Sequence, residues 1–550
     1  MKNHTLSASA LLLAIVASDS ASAQANTVPG RDLGLATTST ISRYRRTGTY
    51  PNGVQAIGAL TTCCNAGTST IPFQAAMNPN HGFIHYIIAR ESNGRFEQIS
   101  NYAWVKHTFG SNNNPGACGT CLNPNVTTSF VEPGCNDTYL ASQAVDHFNL
   151  GPPDEVNPWT GLWNPICSYF DVGNPPVAVS QQCDGIRSVT QTQASALNTA
   201  INLAMRVYDS DLAVPGATFW YQSGYLVPGE AEALRGNNHG SRQFTPTFGT
   251  TQWTLADGPS VLAGTILQRW TGASITSNTN GTDDGRYFVG VKVTGPTNGR
   301  YHYEYAVHNR DNARGAGALR IPICQHAQVS GFGFHDVDRN AVTDWTAAKV
   351  GSEIVFQTTG ANQNPLKWNS IYSFWFDTDA APDTGTVLLD QYAIGAGALT
   401  VSVTSTTPSG VFNQNLGAGC ATGSVPLLFA TGTPPRATIG NATLALTSGN
   451  NPANVPCGFL LSTVPGSTLV APGCTAWTGD VTSLLGPLVA VANPSGVASI
   501  GLAVPNDPSL EGLFLDFQAM NIVAGGAFLG SFNLSNGLRV RIGNSIANCQ

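Results

Sequence analysis

The distribution of apolar residues constrains the fold of this chain most strongly, because only one segment carries a helical repeat. In Thr190–Tyr208, apolar residues recur at steps of three and four, which predicts a helix near 190–208. Elsewhere, short runs rich in Val, Ile, Thr and aromatic residues are separated by Gly, Pro and Asn turns. This pattern is typical of short antiparallel strands, so we predict a mainly β protein with β-sandwich modules.

A chain of 550 residues is too long for a single hydrophobic core. Changes in composition predict a signal peptide at 1–23, a Cys- and His-containing β-rich region at 24–280, a β-sandwich domain at 281–398 and a low-charge β domain at 399–550. The C-terminal domain has the fewest candidate catalytic side chains, because residues 401–550 contain no His or Lys and few charged groups. We therefore expect no general acid–base catalysis in this domain.

The N-terminal residues have the features of a secretory signal peptide. A single basic residue, Lys2, precedes the apolar run Leu11–Val16, and the small residues Ala21-Ser22-Ala23 follow. No later segment offers about 18 uninterrupted apolar residues, so we expect no membrane span. The sequence therefore predicts a secreted protein, located in the periplasm, outside the cell or at the cell surface.

Cysteine usage agrees with export. Twelve cysteines in a secreted chain predict six disulfides. Adjacent Cys63 and Cys64 are expected to bond to different partners, since a ring between neighbours strains the peptide. The pair Cys118 and Cys121 also has the spacing of a redox or zinc motif, but no strand–helix pattern surrounds it, which favours structural disulfides.

The charge balance excludes two classes of partner. Only 10% of the residues are charged, and the formal net charge is -7 with no basic cluster. Neutralising a phosphate backbone or an anionic lipid surface requires clustered Lys and Arg. We therefore expect neither nucleic acid nor an anionic membrane as a partner.

A hairpin is predicted from about Phe83 to Phe109. Asn93 and Gly94 form its two-residue turn, because this pair tolerates positive φ at both positions. The resulting register places Arg90 opposite Glu97, which is a favourable cross-strand pair.

The same hairpin bears on a possible metal site, because three histidines lie close together in sequence. The register places His85 opposite Tyr102 and directs His107 to the other face. On a strand, His81 and His85 are about 13 Å apart. The three side chains are then not one ligand set, but a smaller cluster of one of them with His147 or Asp137 stays open. The candidate site for copper or zinc is therefore given by His85, His107 and His147. The competing interpretation is buried, hydrogen-bonded histidines.

Carboxylates suggest a calcium site in the sandwich domain. Two aromatic strands each run into an Asp-x-Asp motif, at Asp336 and Asp338 and at Asp377 and Asp379. An EF-hand is excluded, because the sixth and twelfth positions of the first loop are alanine. If the strand ends are adjacent, the four carboxylates form a candidate Ca²⁺ site. The alternative is solvated turn residues.

Other catalytic signatures are weak. Glu230 and Glu232 are further candidates for a glycosidase pair, but the sequence does not fix their separation. No nucleophile elbow, zincin motif, P-loop or dinucleotide fingerprint is present. Aromatic residues predict a glycan-binding cleft near Trp159, Trp163, Trp220 and Tyr221.

Several segments resemble large, uncharacterised exported bacterial proteins. These segments are Ala103–Phe109, Gly134–Tyr139, Leu150–Asn157, Tyr303–Asn309, Phe334–Asp338, Phe374–Asp379, Val504–Pro508 and Leu534–Leu538. The resemblance implies bacterial export, a Cys-containing N-terminal region, a β-sandwich unit and a recurring C-terminal β module. It carries no activity and no catalytic residues.

Two functions from different classes stay open. The first is a non-enzymatic extracellular or cell-envelope protein for surface, matrix or glycan contact, which the low charge and the histidine-free C-terminal region favour. The second is a secreted metal-dependent enzyme with its site in residues 24–280, where five histidines of the mature chain lie.

Overall fold

The fold is mainly β, as predicted. The computed structural model describes residues 27–172, 183–197, 201, 203–280, 285–297, 300–324, 327–361, 363–408, 413–479 and 484–543. Within these residues, α-helix is confined to α1 (Tyr169–Val172), α2 (Gln191–Leu197) and α3 (Asp209–Leu212). Single 3-10 turns occur at Gln143–Val145, His147–Asn149, Pro153–Glu155, Glu232–Leu234, Ile266–Arg269 and Pro508–Leu510. The predicted signal peptide, residues 1–23, lies outside the described residues.

Two sheets enclose the N-terminal core. The first sheet has the strand order β1-β2-β9-β7, and β13 also pairs with β2. The second has the order β10-β6-β4-β14-β15-β16, and β5 also pairs with β4. Alternating residues of β4, such as Ile84 and Ile88, meet Leu33 and Ile57 of the first sheet in one apolar cluster. These strands are β1 (Leu33–Thr47), β2 (Val54–Asn65), β3 (Ile71–Pro72), β4 (Phe83–Ser92), β5 (Arg95–Gln98), β6 (Val105–His107), β7 (Asn114–Pro115), β8 (Phe130–Val131), β9 (Cys135–Tyr139), β10 (Leu150–Gly151), β11 (Val156–Asn157), β12 (Leu162–Trp163), β13 (Met205–Tyr208), β14 (Thr218–Leu226), β15 (His239–Phe248) and β16 (Trp253–Ala263).

The predicted hairpin is correct at its turn and wrong beyond it. Arg90 lies opposite Glu97, as expected. The carbonyl of Ile88 then accepts hydrogen bonds from the N–H groups of both Ile99 and Ser100, so the chain leaves the ladder at this bulge. When pairing resumes, His107 lies opposite Phe83, and the predicted pairing of His85 with Tyr102 is absent from the described ladder.

The predicted helix is shorter than its apolar repeat. The described helix is α2, Gln191–Leu197, and Met205–Tyr208 instead form β13, which pairs with β2. Residues 198–200 and 202 of the predicted helix lie outside the described residues. Met205 and Val207 are buried, whereas Arg206 and Tyr208 are half-buried. This alternation of period two decides in favour of a strand over the last four residues of the predicted helix.

Two five-stranded sheets form a central sandwich, with orders β17-β18-β19-β24-β21 and β22-β23-β20-β25-β26. Tyr303, Tyr305 and Phe374 of one sheet pack in one cluster with Leu319 and Val387 of the other. The strands run from residue 274 to residue 407, while the division into domains at 280 and 398 stays a prediction. They are β17 (Ser274–Thr279), β18 (Arg286–Thr297), β19 (Arg300–Asn309), β20 (Ala316–Pro322), β21 (Val329–His335), β22 (Thr346–Val350), β23 (Glu353–Gln357), β24 (Ser370–Thr378), β25 (Asp383–Gln391) and β26 (Thr400–Thr407).

The C-terminal residues form further antiparallel sheets around their own core. The largest has the order β27-β36-β35-β30-β33, and a second has the order β28-β29-β34. Leu446, Phe459, Phe517 and Val540 lie in the shared apolar cluster. The strands are β27 (Asn413–Gly417), β28 (Leu427–Thr431), β29 (Ala445–Gly449), β30 (Pro456–Ser462), β31 (Thr468–Ala471), β32 (Cys474–Ala476), β33 (Leu484–Val491), β34 (Ala498–Gly501), β35 (Phe514–Gly526) and β36 (Gly530–Arg541).

The cysteines pair differently from the prediction. Cys63 and Cys457 are free and buried, so the expectation of six disulfides is wrong. Alternation along β2 directs Cys63 into the N-terminal core, while the neighbouring Cys64 bonds to Cys118. The bonds between described residues are Cys64–Cys118, Cys121–Cys135, Cys167–Cys183 and Cys420–Cys474, and Cys324 is also disulfide-bonded.

These bonds decide how the Cys118 and Cys121 motif is used. The two cysteines bond to different partners, which confirms structural disulfides over a redox pair. Such bonds persist in oxidising compartments and fit an exported protein. Within the described residues, the structure contains no helix with the length and apolar character of a membrane span.

Candidate functional site

Polar contacts join the N-terminal sheets to the central sandwich at the hairpin β4–β5. Arg95 donates two hydrogen bonds of 2.8 Å to the carboxylate of Glu304, and its guanidinium lies 3.2 Å from the ring centroid of Trp375. The amide oxygen of Gln98 accepts a 2.8 Å hydrogen bond from the N–H of Ile371. The hairpin therefore binds β19 and β24 of the sandwich directly.

Beside this contact lies a buried charge network, which we call the junction network and define as Arg235, Arg310, Asp311, Glu232 and Arg286. One carboxylate oxygen of Asp311 lies 2.9 Å from Arg235 and 3.0 Å from Arg310. Glu232 accepts hydrogen bonds of 2.7 Å from Arg310 and 2.6 Å from Arg286. The network thus joins the segment before β15 to the start of β18 and to the residues that follow β19.

The ion pairs of the junction network overcome the cost of burial. Burial alone raises the pKa of Asp311, but the guanidinium groups of Arg310 and Arg235 lower it well below its usual range. The same balance between burial and the guanidinium groups of Arg286 and Arg310 lowers the pKa of Glu232. Both carboxyls are therefore ionised and paired, and they act as structural partners of the arginines.

Buried histidines line the same junction. Nδ1 of His85 lies 2.6 Å from the amide oxygen of Asn369, and the His85 and His239 rings are 5.1 Å apart between centroids. Both rings face Gly224, where a Cβ atom would lie 2.4 Å from His85. Burial lowers the pKa of His85 to about 4 and that of His308 to about 3. These imidazoles are neutral at physiological pH.

The structure does not assemble the predicted histidine metal site. His81 Nε2 lies 2.8 Å from His107 Nδ1, so His107 does not point to the opposite face as the predicted register required. His85 contacts Asn369 instead, and His147 is buried in its own 3-10 turn. Across the described parts of the chain, no three His, Cys, Asp or Glu side chains are grouped as metal ligands.

The four predicted calcium ligands lie at opposite ends of a strand pair. Because β21 and β24 are antiparallel, Asp377 lies opposite Ser330 near the start of β21, whereas Asp336 and Asp338 follow its end. Asp379 follows the end of β24, on the side of Asp377. Six strand residues, or roughly 20 Å, separate the two motifs, so one ion does not bridge them.

Each Asp-x-Asp motif instead makes local contacts. Asp336 accepts hydrogen bonds from the N–H of Asp338 at 2.8 Å and from the Asn364 amide at 2.6 Å. Burial raises the pKa of Asp336 to about 7. A carboxylate oxygen of Asp377 lies 2.7 Å from Nδ1 of His302. Asp379 accepts a 2.8 Å hydrogen bond from the N–H of Gln328, the residue before β21.

Glu230 and Glu232, the further glycosidase candidates, are each engaged by other residues. Glu230 is 1% exposed and accepts a 2.7 Å hydrogen bond from the N–H of Leu33. Burial raises the pKa of Glu230 to about 7. Glu232, by contrast, belongs to the junction network. The two carboxyls are thus engaged with different parts of the protein.

The predicted aromatic cleft is wrong, because three of its four residues are core residues. Trp159, Trp163 and Tyr221 are 2%, 4% and 0% exposed, and Trp220 is half-buried. Their aromatic character predicts a ligand surface, but Trp163 and Tyr221 point inward from β12 and β14, and Trp159 points inward from the turn between β11 and β12. Exposure depends on register and loop path, which composition does not specify.

Open concave surfaces lined by described residues occur elsewhere. A cleft of about 500 Å³ lies between the N-terminal region and the sandwich, with Trp368 at its wall and Tyr392 at its rim. Lys367 and Asp154, 2.5 Å apart, form an ion pair in this cleft. Glu155 also lines it, and burial raises the pKa of this carboxyl.

The second surface, which we call the aromatic groove, has a volume of about 400 Å³ at the edge of the N-terminal sheets. Tyr50, Phe248 and Trp253 form its aromatic wall, and Thr218 and Gln243 lie beside them. These residues are not among those predicted from the sequence. Only the Tyr-Pro turn and the pairing of Phe248 with Trp253 across a short loop would have indicated them, and neither pattern is specific.

Comparison with known proteins gives only distant similarities. No family model matches the chain, and no curated protein matches it. Among solved structures, BcpA, the major pilin subunit of Bacillus cereus, is 10% identical, with 61% of this chain and 84% of that chain covered and a TM-score of 0.17. The full-length major pilin RrgB from Streptococcus pneumoniae is 10% identical, with 61% and 48% covered and a TM-score of 0.13. Scores this low carry no argument about fold or function.

Proposed function

We propose that this chain is an exported, non-enzymatic structural protein that makes contacts at a cell surface or in an extracellular matrix. The junction network is the observation that carries this proposal. Its ionised groups face one another, and its centre is buried, with Asp311 between Arg235 and Arg310 at 2.9 and 3.0 Å. Such groups join two β units and are not available to a substrate.

The joined β units suit a contact role. The hairpin β4–β5 adds the bidentate pair of Arg95 with Glu304 to the junction. Because both partners are at least three-quarters buried, the pair is screened less than a surface ion pair. Disulfides on either side of the central sandwich further restrict the chain. A unit built in this way presents its outer surfaces in a fixed relative orientation.

Location and metal content test the proposal together. Antibodies raised against the purified mature chain should label intact producing cells or detect the protein in their medium. Elemental analysis of the oxidised protein, dialysed against metal-free buffer, should find no stoichiometric copper, zinc or iron.

A protein confined to the cytoplasm would overturn the proposal. So would a stoichiometric transition metal whose removal abolishes a chemical activity, because it would support the alternative of a secreted metal-dependent enzyme. Stoichiometric calcium alone would leave the structural proposal in place and would indicate a stabilising ion.

A further inference from the structure

The wall of the aromatic groove is a cluster of three rings, in which Tyr50 stacks on Phe248 and Trp253 meets Phe248 edge to face. Tyr50, in the turn between β1 and β2, lies 4.2 Å from Phe248 between ring centroids with an interplanar angle of 26°. Trp253 packs against Phe248 at 5.2 Å. Tyr50 is 46% exposed, so one face of the stack is open to a ligand.

The stack is held in place from behind. Nε1 of Trp253 donates a 2.9 Å hydrogen bond to the buried carboxylate of Asp209. Arg46 forms an ion pair with the same carboxylate at 2.5 Å, and its guanidinium lies 5.4 Å from the Phe248 ring centroid. The charges near the groove are therefore paired with each other beneath the aromatic wall, and little side-chain ordering is needed when a ligand binds.

The remaining lining is mostly apolar, with three polar, uncharged side chains among it. Thr218, Gln243 and Thr245 offer hydroxyl and amide groups that make no hydrogen bond to another side chain or backbone group within the described residues. No Asp, Glu, Lys, Arg or His is among the described residues that line the groove. An ionic ligand would lose hydration there without gaining a counter-charge.

We propose that the aromatic groove binds a neutral glycan. A pyranose ring presents apolar C–H groups on its faces and hydroxyl groups at its edge. The open face of Tyr50 matches the first feature, and the free amide and hydroxyl groups match the second. A volume of about 400 Å³ lies in the usual range for ligand sites. This inference rests on the proposed contact function and names the ligand class.

Calorimetry on the full mature, oxidised chain tests the groove. The probes are three neutral hexasaccharides, namely cellohexaose, chitohexaose and mannohexaose, together with decaproline as a peptide that also stacks on aromatic rings. We expect at least one hexasaccharide to bind. Tyr50→Ala should weaken that binding about tenfold, because it removes one stacked ring.

Two further variants separate a lost contact from a lost fold. Tyr50→Phe keeps the ring and should keep most of the affinity. Tyr392→Ala removes a tyrosine of similar exposure, 43%, from the other cleft and should leave glycan binding unchanged. Thermal unfolding of each variant reports whether the fold survives.

Three results would overturn the inference. These are binding of none of the hexasaccharides, equal affinity for the wild type and Tyr50→Ala, and binding of decaproline alone. A surface-located, metal-free chain that binds no glycan would overturn this inference only. A glycan that is bound and cleaved would overturn the non-enzymatic function but leave the groove as its binding site.

Discussion

At the scale of single residues, the junction depends on charges that are removed from water. Asp311 is 3% exposed and has two arginine partners, Arg235 and Arg310, which are also buried. A buried ion pair contributes little relative to an apolar pair, but loss of one member leaves the other charge uncompensated. Removal of the carboxylate therefore lowers the free energy of unfolding by more than the ion pair itself contributes to it.

We expect Asp311→Asn to lower the free energy of unfolding by about 3–5 kcal/mol, because it keeps the shape but leaves two buried arginines short of a counter-charge. Urea unfolding followed by tryptophan fluorescence measures the change. Asp390→Asn is the matched control, since its pair with Arg320 is roughly one-third exposed and should cost at most about 1 kcal/mol. Equal losses in both variants would contradict the prediction.

Glu230 makes a separate prediction about pH. Its pKa in the folded protein is about 7, above the ordinary value of 4.5, so between these pH values the folded state holds a proton that the unfolded state releases. This stabilisation is complete below pH 4.5 and is lost as the pH rises through 7. Glu230→Gln carries no titrating group and should not share this loss.

Unfolding measured from pH 5 to pH 8 should therefore show the wild type losing up to about 3 kcal/mol relative to Glu230→Gln. Glu353→Gln, which changes a one-third-exposed carboxylate, is the control. A constant difference between the wild type and Glu230→Gln across this range would show that the buried carboxyl does not titrate there.

At the scale of elements, close backbone approach fixes how β14 sits between its neighbours. His85 of β4 and His239 of β15 both lie against Gly224, and a Cβ atom there would be 2.4 Å and 2.7 Å from their rings. The strand accommodates two imidazoles only because this position has no side chain. The glycine is thus a packing requirement of the junction.

Gly224→Ala should lower the free energy of unfolding by about 1–3 kcal/mol, because buried rings would have to move within a packed core. Gly501→Ala, also in a strand but with no atom within 4 Å of the added Cβ, is the control and should have a small effect. Thermal unfolding compares the two. A more stable Gly224→Ala would mean that the rings reorient without cost.

The elements that could be predicted from the sequence are those whose structure depends on neighbouring residues. The Asn93-Gly94 turn and the pair of Arg90 with Glu97 follow from turn geometry and alternation. The bulge at Ser100 does not, because it depends on two N–H groups sharing the carbonyl of Ile88. The bulge shifts the register of the residues that follow it, so the prediction that His107 points to the other face is wrong.

The candidate sites were harder to predict, for the same physical reason. The calcium prediction required Asp336 and Asp377 to lie near each other, and strand direction places them apart. Composition predicts exposed tryptophans, but Trp159 and Trp163 are buried in the short hairpin of β11 and β12. The aromatic groove combines residues from three distant segments, so no local pattern identifies it.

At the scale of the whole molecule, cysteine pairing is the feature that a single measurement can check. Cys63 and Cys457 are buried in different apolar clusters. Burial raises the pKa of both thiols, which makes the reactive thiolate scarce.

In native buffer, N-ethylmaleimide should leave Cys63 and Cys457 unmodified. In non-reducing denaturant it should modify both, as mapped by peptide mass spectrometry. Cys420 and Cys474, which are bonded to each other, are the internal controls and should react only after reduction. Modification of Cys63 in native buffer would contradict its place in the core, and its absence in denaturant would imply an unrecognised bond.

The docked hairpin affects how the protein responds to a pulling force. The indole N–H of Trp270 binds the carbonyl of Gly94 at 2.8 Å, just where the chain leaves the N-terminal sheets for the sandwich. Tension along the polypeptide is therefore shared between that covalent crossing and the hairpin contacts, among them Arg95 with Glu304. We therefore expect that the hydrogen bond of Trp270 and the ion pair of Arg95 must break before a pulling force separates the N-terminal sheets from the sandwich.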